Sequence, residues 1–325
     1  MGIVAVFAAD LHLSDCIWST HPSIAGDSFY ALQQLVDLAI KHNCPLLLAG
    51  DVLELMRTGS PTSVTVSEVS NAISRLRSAG QPLYYICGQH DLAEPSWLQA
   101  INPWARDVSM QSFQLAGKPW YAIGYQETLA LEYAVTNIPE DTFGLMVHQR
   151  WREFEGGSTS HGTLVSIVKE RPGIKVVISG DLHQTKLKKF RQSLFISPGA
   201  THKRTVAEPD THNAILVDDT GTVFTNRLKS RSVVSVVVRD DEHWERLCVR
   251  LPQHIAEATN ASLKALLPRQ LATPLLVIED QGRCGAAADA KERFTDAHVL
   301  VRNSTLEKVA VTKPCLLYTS PSPRD

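Results

Sequence analysis

Short apolar runs rich in β-branched residues alternate along this chain with stretches whose apolar positions recur every three or four residues. "IVAVFAA" near the start, "PLLLAG" at 45–50 and "PLYYICG" at 82–88 read as buried strands. Between the first two, Phe29, Leu32, Leu35, Val36, Ala39 and Ile40 mark one face of a helix, with Asp27 as its expected cap. Val69, Ile73 and Leu76 mark a second helix, opened by Ser60-Pro61 and stopped by Gly80. Strands separated by helices of this length predict parallel β-α-β units.

The pattern then loosens. "FQLAGKPWYAIGY" predicts a hairpin pair, "QETLALEYAVTN" a helix, and "FGLMVH" and "KVVISG" two more strands. From about residue 185 the helical period stops. "KLKKF", "SLFISPG", "NAILVDD" and "VFTNRL" are short strands at turn-punctuated spacing, which suggests an antiparallel edge or a second sheet. Two sheets between helical layers fit this order. A boundary near Ser232 divides a first domain (1–232) from a small α+β domain (233–313). The last stretch, "PCLLYTSPSPRD" (314–325), continues no pattern and resembles vector read-through, so a non-native tail is expected there.

Composition narrows the picture. A content of 44% hydrophobic and 20% charged residues places the chain among ordinary globular proteins. A net charge of -2 excludes a globally basic nucleic-acid binder, so any anion-binding surface must be local. Six scattered cysteines without a C-x-x-C pair indicate neither a zinc knuckle nor a disulfide framework. No basic leader precedes the first apolar run and no run reaches membrane-span length, so a cytoplasmic protein without a membrane partner is expected.

The chemistry gathers at strand ends. Asp10 and His12 follow the first strand, Asp51 the second, and Gln89, His90 and Asp91 the third. His148 ends "GLMVH", and Asp181 and His183 follow "VVISG". Taken singly, an Asp after a strand is more often a turn or cap residue, and a lone His more often a satisfied polar side chain. Recurrence at five carboxyl ends, where ligands of open α/β sheets collect, points instead to a shared metal site. Within D-x-H, extended backbone would turn both side chains the same way.

Between Arg171 and Arg231 eleven basic residues meet five acidic ones. A DNA phosphate track and a charge-protected edge strand ("TKLKKFR") both explain this excess. His202, Lys203 and Arg204, which follow a P-G turn, are candidate substrate contacts, with Arg57 a further phosphate-contact candidate. Trp97, Trp104 and Trp120 read as core before they read as base-stacking residues.

The ordered set "DLH", "GD", "GQHD", "VH" and "GDLH" resembles the calcineurin-like metallophosphoesterase superfamily. Its pattern is D-x-H, G-D, G-N-H-D/E, a lone His and G-H-x-H. The segment "SLFISPGATHKRTVAEPDTHNAILVDDTG" further resembles SbcD-type DNA repair nucleases, whose capping domain the 233–313 region matches in position. The resemblance implies a four-layer α-β-β-α sandwich with a small C-terminal α+β capping domain. It also implies two divalent ions, most often Mn2+, held by Asp10, His12 and His183 and by Gln89, His148 and Asp181, with Asp51 bridging. His90 would act on the leaving oxygen, oriented by Asp91. Gln89 and Asp181 depart from the pattern, standing where it has Asn and His. The implied partners are DNA, an SbcC-like ATPase and a second copy of the chain. A metallophosphoesterase acting on a small phosphodiester or phosphoprotein, and an inactive DNA-binding scaffold, are the competing readings.

Overall fold

The computed structural model describes residues 2–15, 26–56, 59–91, 95–155, 167, 169–259, 269–281 and 287–303. The chain divides into two compact units, Met1–Arg231 with Leu267–Leu271, and Ser232–Leu266 with Ala272–Asp325. Arg57 and the 314–325 segment lie outside the described residues.

In the first unit the expected strands and helices alternate. β1 (Ile3–Ala8), α1 (Asp27–His42), β2 (Leu46–Ala49), α2 (Ser63–Ser78) and β3 (Leu83–Ile86) are followed by α3 (Trp97–Ile101) and β4 (Ala105–Asp107). Then come β5 (Ser112–Leu115), β6 (Lys118–Ile123), α4 (Thr128–Thr136), β7 (Gly144–His148), α5 (Arg152–Glu155) and β8 (Val176–Gly180). β9 (Lys186–Phe190), β10 (Ser193–Ser197), β11 (His212–Asp218) and β12 (Val223–Leu228) complete it. One sheet has the order β12-β11-β1-β2-β3-β4 and the other β5-β6-β7-β8-β10-β9. The late strands thus serve both sheets: β9 and β10 extend the second, whereas β11 returns to pair antiparallel with β1 in the first.

Both faces of the central strands are apolar because both are covered. Along β1 and just beyond it, Ala5, Phe7 and Ala9 face the second sheet, where Phe7 stacks on Trp120 at 5.1 Å. Val6 and Ala8 face the core shared with α1 and α2. On the far side, Leu131, Ala134 and Val135 of α4 pack with Leu145 and Val147 of β7. These three clusters are the interfaces of a four-layer α-β-β-α sandwich.

Two expected helix starts are corrected. Asp27 is not a cap: it lies inside the first turn of α1, buried, with its carboxylate on Arg231 Nε at 3.1 Å. The second helix opens at Thr62, whose side chain accepts from Thr65 N, rather than at Ser60-Pro61.

The β5–β6 hairpin turns through Ala116 (φ 48°) and Gly117 (φ 74°), two successive left-handed residues. Alanine is strained there, and Asn suits it better. Ala116→Asn is expected to stabilise the protein by about 1 kcal/mol, read from denaturant unfolding.

In the second unit β13 (Val233–Val238), β14 (Leu275–Asp280) and β15 (His298–Asn303) run parallel in sequential order. Trp244, Leu251 and Ile255 of α6 (Asp241–Ala258) pack there with Phe294. Among the described residues no helix is long and apolar enough to cross a membrane.

Candidate metal centre

β1, β2 and β3 are parallel neighbours in one sheet, as are β7 and β8 in the other. Their carboxyl ends therefore open together, and the polar residues that follow them meet. Ligand atoms of Asp10, His12 and His183 lie within 4.8 Å of one another, as do those of Asp10, Asp51 and His148, and those of His12, Asp51 and His90. Asp51 sits at the hub: its Oδ2 is 3.5 Å from His12 Nε2, 3.5 Å from His148 Nε2 and 3.9 Å from His90 Nε2.

The backbone does this by a route the D-x-H argument did not anticipate. Asp10, His12, Asp51 and Asp181 have φ of 53°, 43°, 50° and 78°, so these segments are left-handed rather than extended. Each such residue costs roughly 1–3 kcal/mol and persists only where its surroundings hold it. Here Asp10 N bonds Gly50 O (3.1 Å), His12 N bonds Asp51 O (2.8 Å), and Asp181 N bonds Asp10 Oδ1 (2.9 Å). Two glycines leave the room. A Cβ on Gly50 would meet His148 Nδ1 at 2.1 Å, and one on Gly88 would meet Asp51 Oδ1 at 2.1 Å.

Three histidines of the cluster are held by Nδ1 and present Nε2, and a fourth, His12, has a carboxylate near its Nδ1. His148 Nδ1 bonds Ala49 O at 2.7 Å, His183 Nδ1 bonds Glu208 Oε1 at 2.6 Å, and His90 Nδ1 bonds Glu54 Oε1 at 2.8 Å. His12 Nδ1 lies 3.1 Å from Glu54 Oε2. Such outer carboxylates and carbonyls fix the ring and its tautomer for a metal. Arg204 links the two acids, with Nη1 2.8 Å from Glu54 Oε2 and Nε 3.6 Å from Glu208 Oε1.

Glu54 and Glu208 were missed in the sequence. A signal existed for Glu54, a carboxylate embedded among Val52, Leu53 and Leu55 three residues after Asp51. Glu208 lies in a loop whose spacing carries none.

Three expectations are corrected. Asp91 does not orient His90: its buried carboxylate accepts from Gly88 N, Val52 N and Leu53 N at 2.9, 3.0 and 2.7 Å. It clamps the β2 loop to the β3 loop, and Glu54 holds His90 instead. His202 is buried (1% exposed), and Lys203 is nearly so, with Nζ on Asp210 at 2.6 Å. Neither offers a donor to substrate. Of that trio only Arg204 lines the cleft, and Glu54 engages it. Arg231 of the basic excess is likewise taken up internally by Asp27, while β9, with Lys186, Lys188 and Lys189, is an edge strand.

Asp181 belongs to none of the three donor sets. Its Oδ1 accepts from Gln89 Nε2 at 2.7 Å. This leaves Gln89 Oε1 buried without a hydrogen-bond partner, as are Asp10 Oδ2 and His148 Nε2. Orphaned carboxylate, amide and imidazole atoms at these strand ends are donors that suit divalent ions.

The charges agree. Burial alone would lower His148, but Asp51, Asp10 and Asp181 outweigh it and raise the imidazole to about 10. Burial raises Asp10 to about 6 and lowers His12 to about 4. Burial opposes ionisation of Asp51 too, yet His148 holds it below the usual carboxylate range. With protein groups alone, His148 keeps a proton at neutral pH that an incoming ion must displace. Below the raised pKa, each unit of rising pH removes a tenfold handicap. Apparent metal affinity is therefore expected to rise about 100-fold between roughly pH 6.5 and 8.5. Calorimetry in buffers of different ionisation heat should show about one proton released per site. A pH-independent affinity over that range would sink the assignment.

Solved structures to which the chain is similar include the TT1561 protein of Thermus thermophilus, with 12% identity over 70% of this chain and 99% of that one and a TM-score of 0.49. A dimetal phosphatase from Danio rerio has 10% identity over 66% of this chain and 93% of its own, with a TM-score of 0.46. An archaeal phosphodiesterase has 13% identity over 69% and 99%, with a TM-score of 0.40. No curated protein sequence matches the chain. Residues 4–185, more than half the chain and the span that carries all of the clustered donors, match the calcineurin-like phosphoesterase family, and the chain belongs to it.

Proposed function

We propose that this metallophosphoesterase is a two-metal phosphodiester hydrolase whose substrate is DNA. The observation that carries the hydrolase reading is the overlap of three donor sets, two of them sharing Asp51, beside a histidine that a carboxylate holds. Asp10, His12 and His183 would hold one divalent ion, and His148 and Gln89 the other, with Asp51 shared between them. Asp181 supports the second through Gln89. Mixed carboxylate and imidazole donors suit manganese. Ions so placed neutralise phosphoryl oxygens and acidify water.

The chain's own residues do the rest. Burial would lower His90, but Glu54 and Asp51 outweigh it and raise it above its ordinary value, which favours the protonated ring. With Nδ1–H on Glu54, His90 delivers the Nε2 proton to the leaving oxygen. Asp91 keeps the Asp51 and His90 loops in register. The lysines of β9 just after the last metal motif, and the SbcD-like segment, support DNA over a small ester. An ATPase partner and a homodimer belong to the same reading.

Incubation with manganese and either labelled linear DNA or bis(p-nitrophenyl) phosphate, repeated with His90→Ala, tests it. DNA cleavage lost in the variant is the expected result. Turnover of only the small ester would overturn the DNA assignment, and DNA binding without any cleavage would overturn the hydrolase.

A further inference from the structure

Side chains at and behind the candidate metal residues close a ring of contacts. His12 and His183 bring their Nε2 atoms to 3.3 Å of one another, within reach of Asp10. A carboxylate stands on the far side of each imidazole. Glu54 Oε2 lies 3.1 Å from His12 Nδ1, and Glu208 Oε1 lies 2.6 Å from His183 Nδ1. Arg204 closes the ring, with Nη1 2.8 Å from Glu54 Oε2 and Nε 3.6 Å from Glu208 Oε1. The other oxygen of Glu54 holds His90 at 2.8 Å. One guanidinium thus stands behind two expected ligands of one ion and behind the histidine proposed to protonate the leaving oxygen.

Arg204 also lines the cleft, so a direct phosphate contact is the competing role. Its surroundings argue against that role. Its side chain is only 18% exposed, and two nearly buried carboxylates oppose its charge. A planar fork that serves two acceptors at once suits bridging. The loop delivers it there: Glu208 Oε2 accepts from the backbone N–H of Arg204 and of Thr205, so the turn folds around the glutamate that its arginine meets. Those backbone bonds do not use the guanidinium, and the loop should keep its shape when the side chain is changed.

We infer that Arg204 is a positioning residue. It ties the carboxylate that holds His183 to the carboxylate that holds His90 and faces His12, and so sets the first metal site and the leaving-group histidine together. The inference rests on the metal reading of the site and does not depend on the substrate being DNA. Without the guanidinium, two nearly buried carboxylates lose their shared counter-charge. They relax apart, and the imidazoles they hold turn with them.

Manganese binding to the wild type, Arg204→Met, Glu208→Gln and the double variant, followed by calorimetry at one pH, tests this. Arg204→Met should weaken binding about 10–100-fold, the range for lost outer partners of metal ligands. Charge alone would act the other way, because removing one cation favours the arrival of another. The two substitutions should be non-additive, the double variant binding within about threefold of the weaker single variant. Arg204→Lys keeps the charge without the fork and should recover part of the loss, which separates bridging from damage to the fold. With manganese saturating, Arg204→Met should lower kcat for bis(p-nitrophenyl) phosphate about tenfold or more and leave KM within about threefold. Unchanged or tighter manganese binding in Arg204→Met, with KM raised about tenfold, would make Arg204 a phosphate contact and overturn the inference. Strictly additive losses in the double variant would overturn it too. A wild type that binds manganese but turns over no phosphodiester defeats the proposed activity, and the binding cycle still decides the role of Arg204.

Discussion

Replacing Glu54 by Ala should lower kcat toward a phosphodiester by about 10²–10⁴-fold, the range expected when a general acid loses its function. Glu54 is the point where three site residues are fixed: it holds His90 by Nδ1, faces His12 Nδ1, and accepts from Arg204. Burial opposes its ionisation, but His12 and His90 keep it well below the usual carboxylate range, so it is charged at neutral pH. Truncation frees the His90 ring to rotate, removes the negative charge that raises its pKa, and strands the Arg204 guanidinium. Glu54→Gln keeps an acceptor for Nδ1–H but gives up the charge, so a milder loss of about 10–100-fold is expected. Steady-state turnover of bis(p-nitrophenyl) phosphate with manganese reads both variants. A Glu54→Ala enzyme within tenfold of wild type would mean that His90 is oriented by something else.

The second large effect is Gly88→Ala. The added methyl would lie 2.1 Å from Asp51 Oδ1 and 2.4 Å from Asp51 N. The second of these is backbone, which cannot swing aside. The Asp51 loop must shift, and with it the carboxylate that two of the three donor sets share and the clamp from Gly88 N to Asp91. A destabilisation of about 3 kcal/mol is expected, at the upper end for overpacking, together with loss of stoichiometric metal binding. Gly117→Ala is the control. Its Cβ would meet nothing within 4 Å although φ is +74°, so it should cost only about 1 kcal/mol and leave metal binding intact. Equal metal stoichiometry in the Gly88 variant and wild type would show that the loop has slack that the distances deny.

These two sites show what can be read along the chain and what needs the third dimension. The donors Asp10, Asp51, His90, His148 and His183 were visible because each follows a strand, and the apolar runs that mark strands are unambiguous here. The sandwich was visible for the same reason. The return of β11 to β1 was not, because a short apolar strand does not name its partner. Nor could spacing separate Asp91 from Glu54: the carboxylate beside His90 in sequence binds backbone amides, and the one thirty-six residues away binds the ring. Asp27 illustrates the same limit, since its partner Arg231 lies 204 residues off. Local pattern reports which residues are polar where they should be apolar; it does not report which of two acids a fold brings to a given imidazole.

The left-handed backbone at Asp10, His12, Asp51 and Asp181 has a consequence for anyone selecting variants of this protein. Those residues hold an unfavourable conformation and crowd carboxylates together, and the fold would be more comfortable with Gly or Asn in their places. A screen that scores heat resistance alone will therefore enrich substitutions at these positions, and its most robust survivors should be those that have stopped binding metal. Thermal hardening and retained chemistry must be selected together.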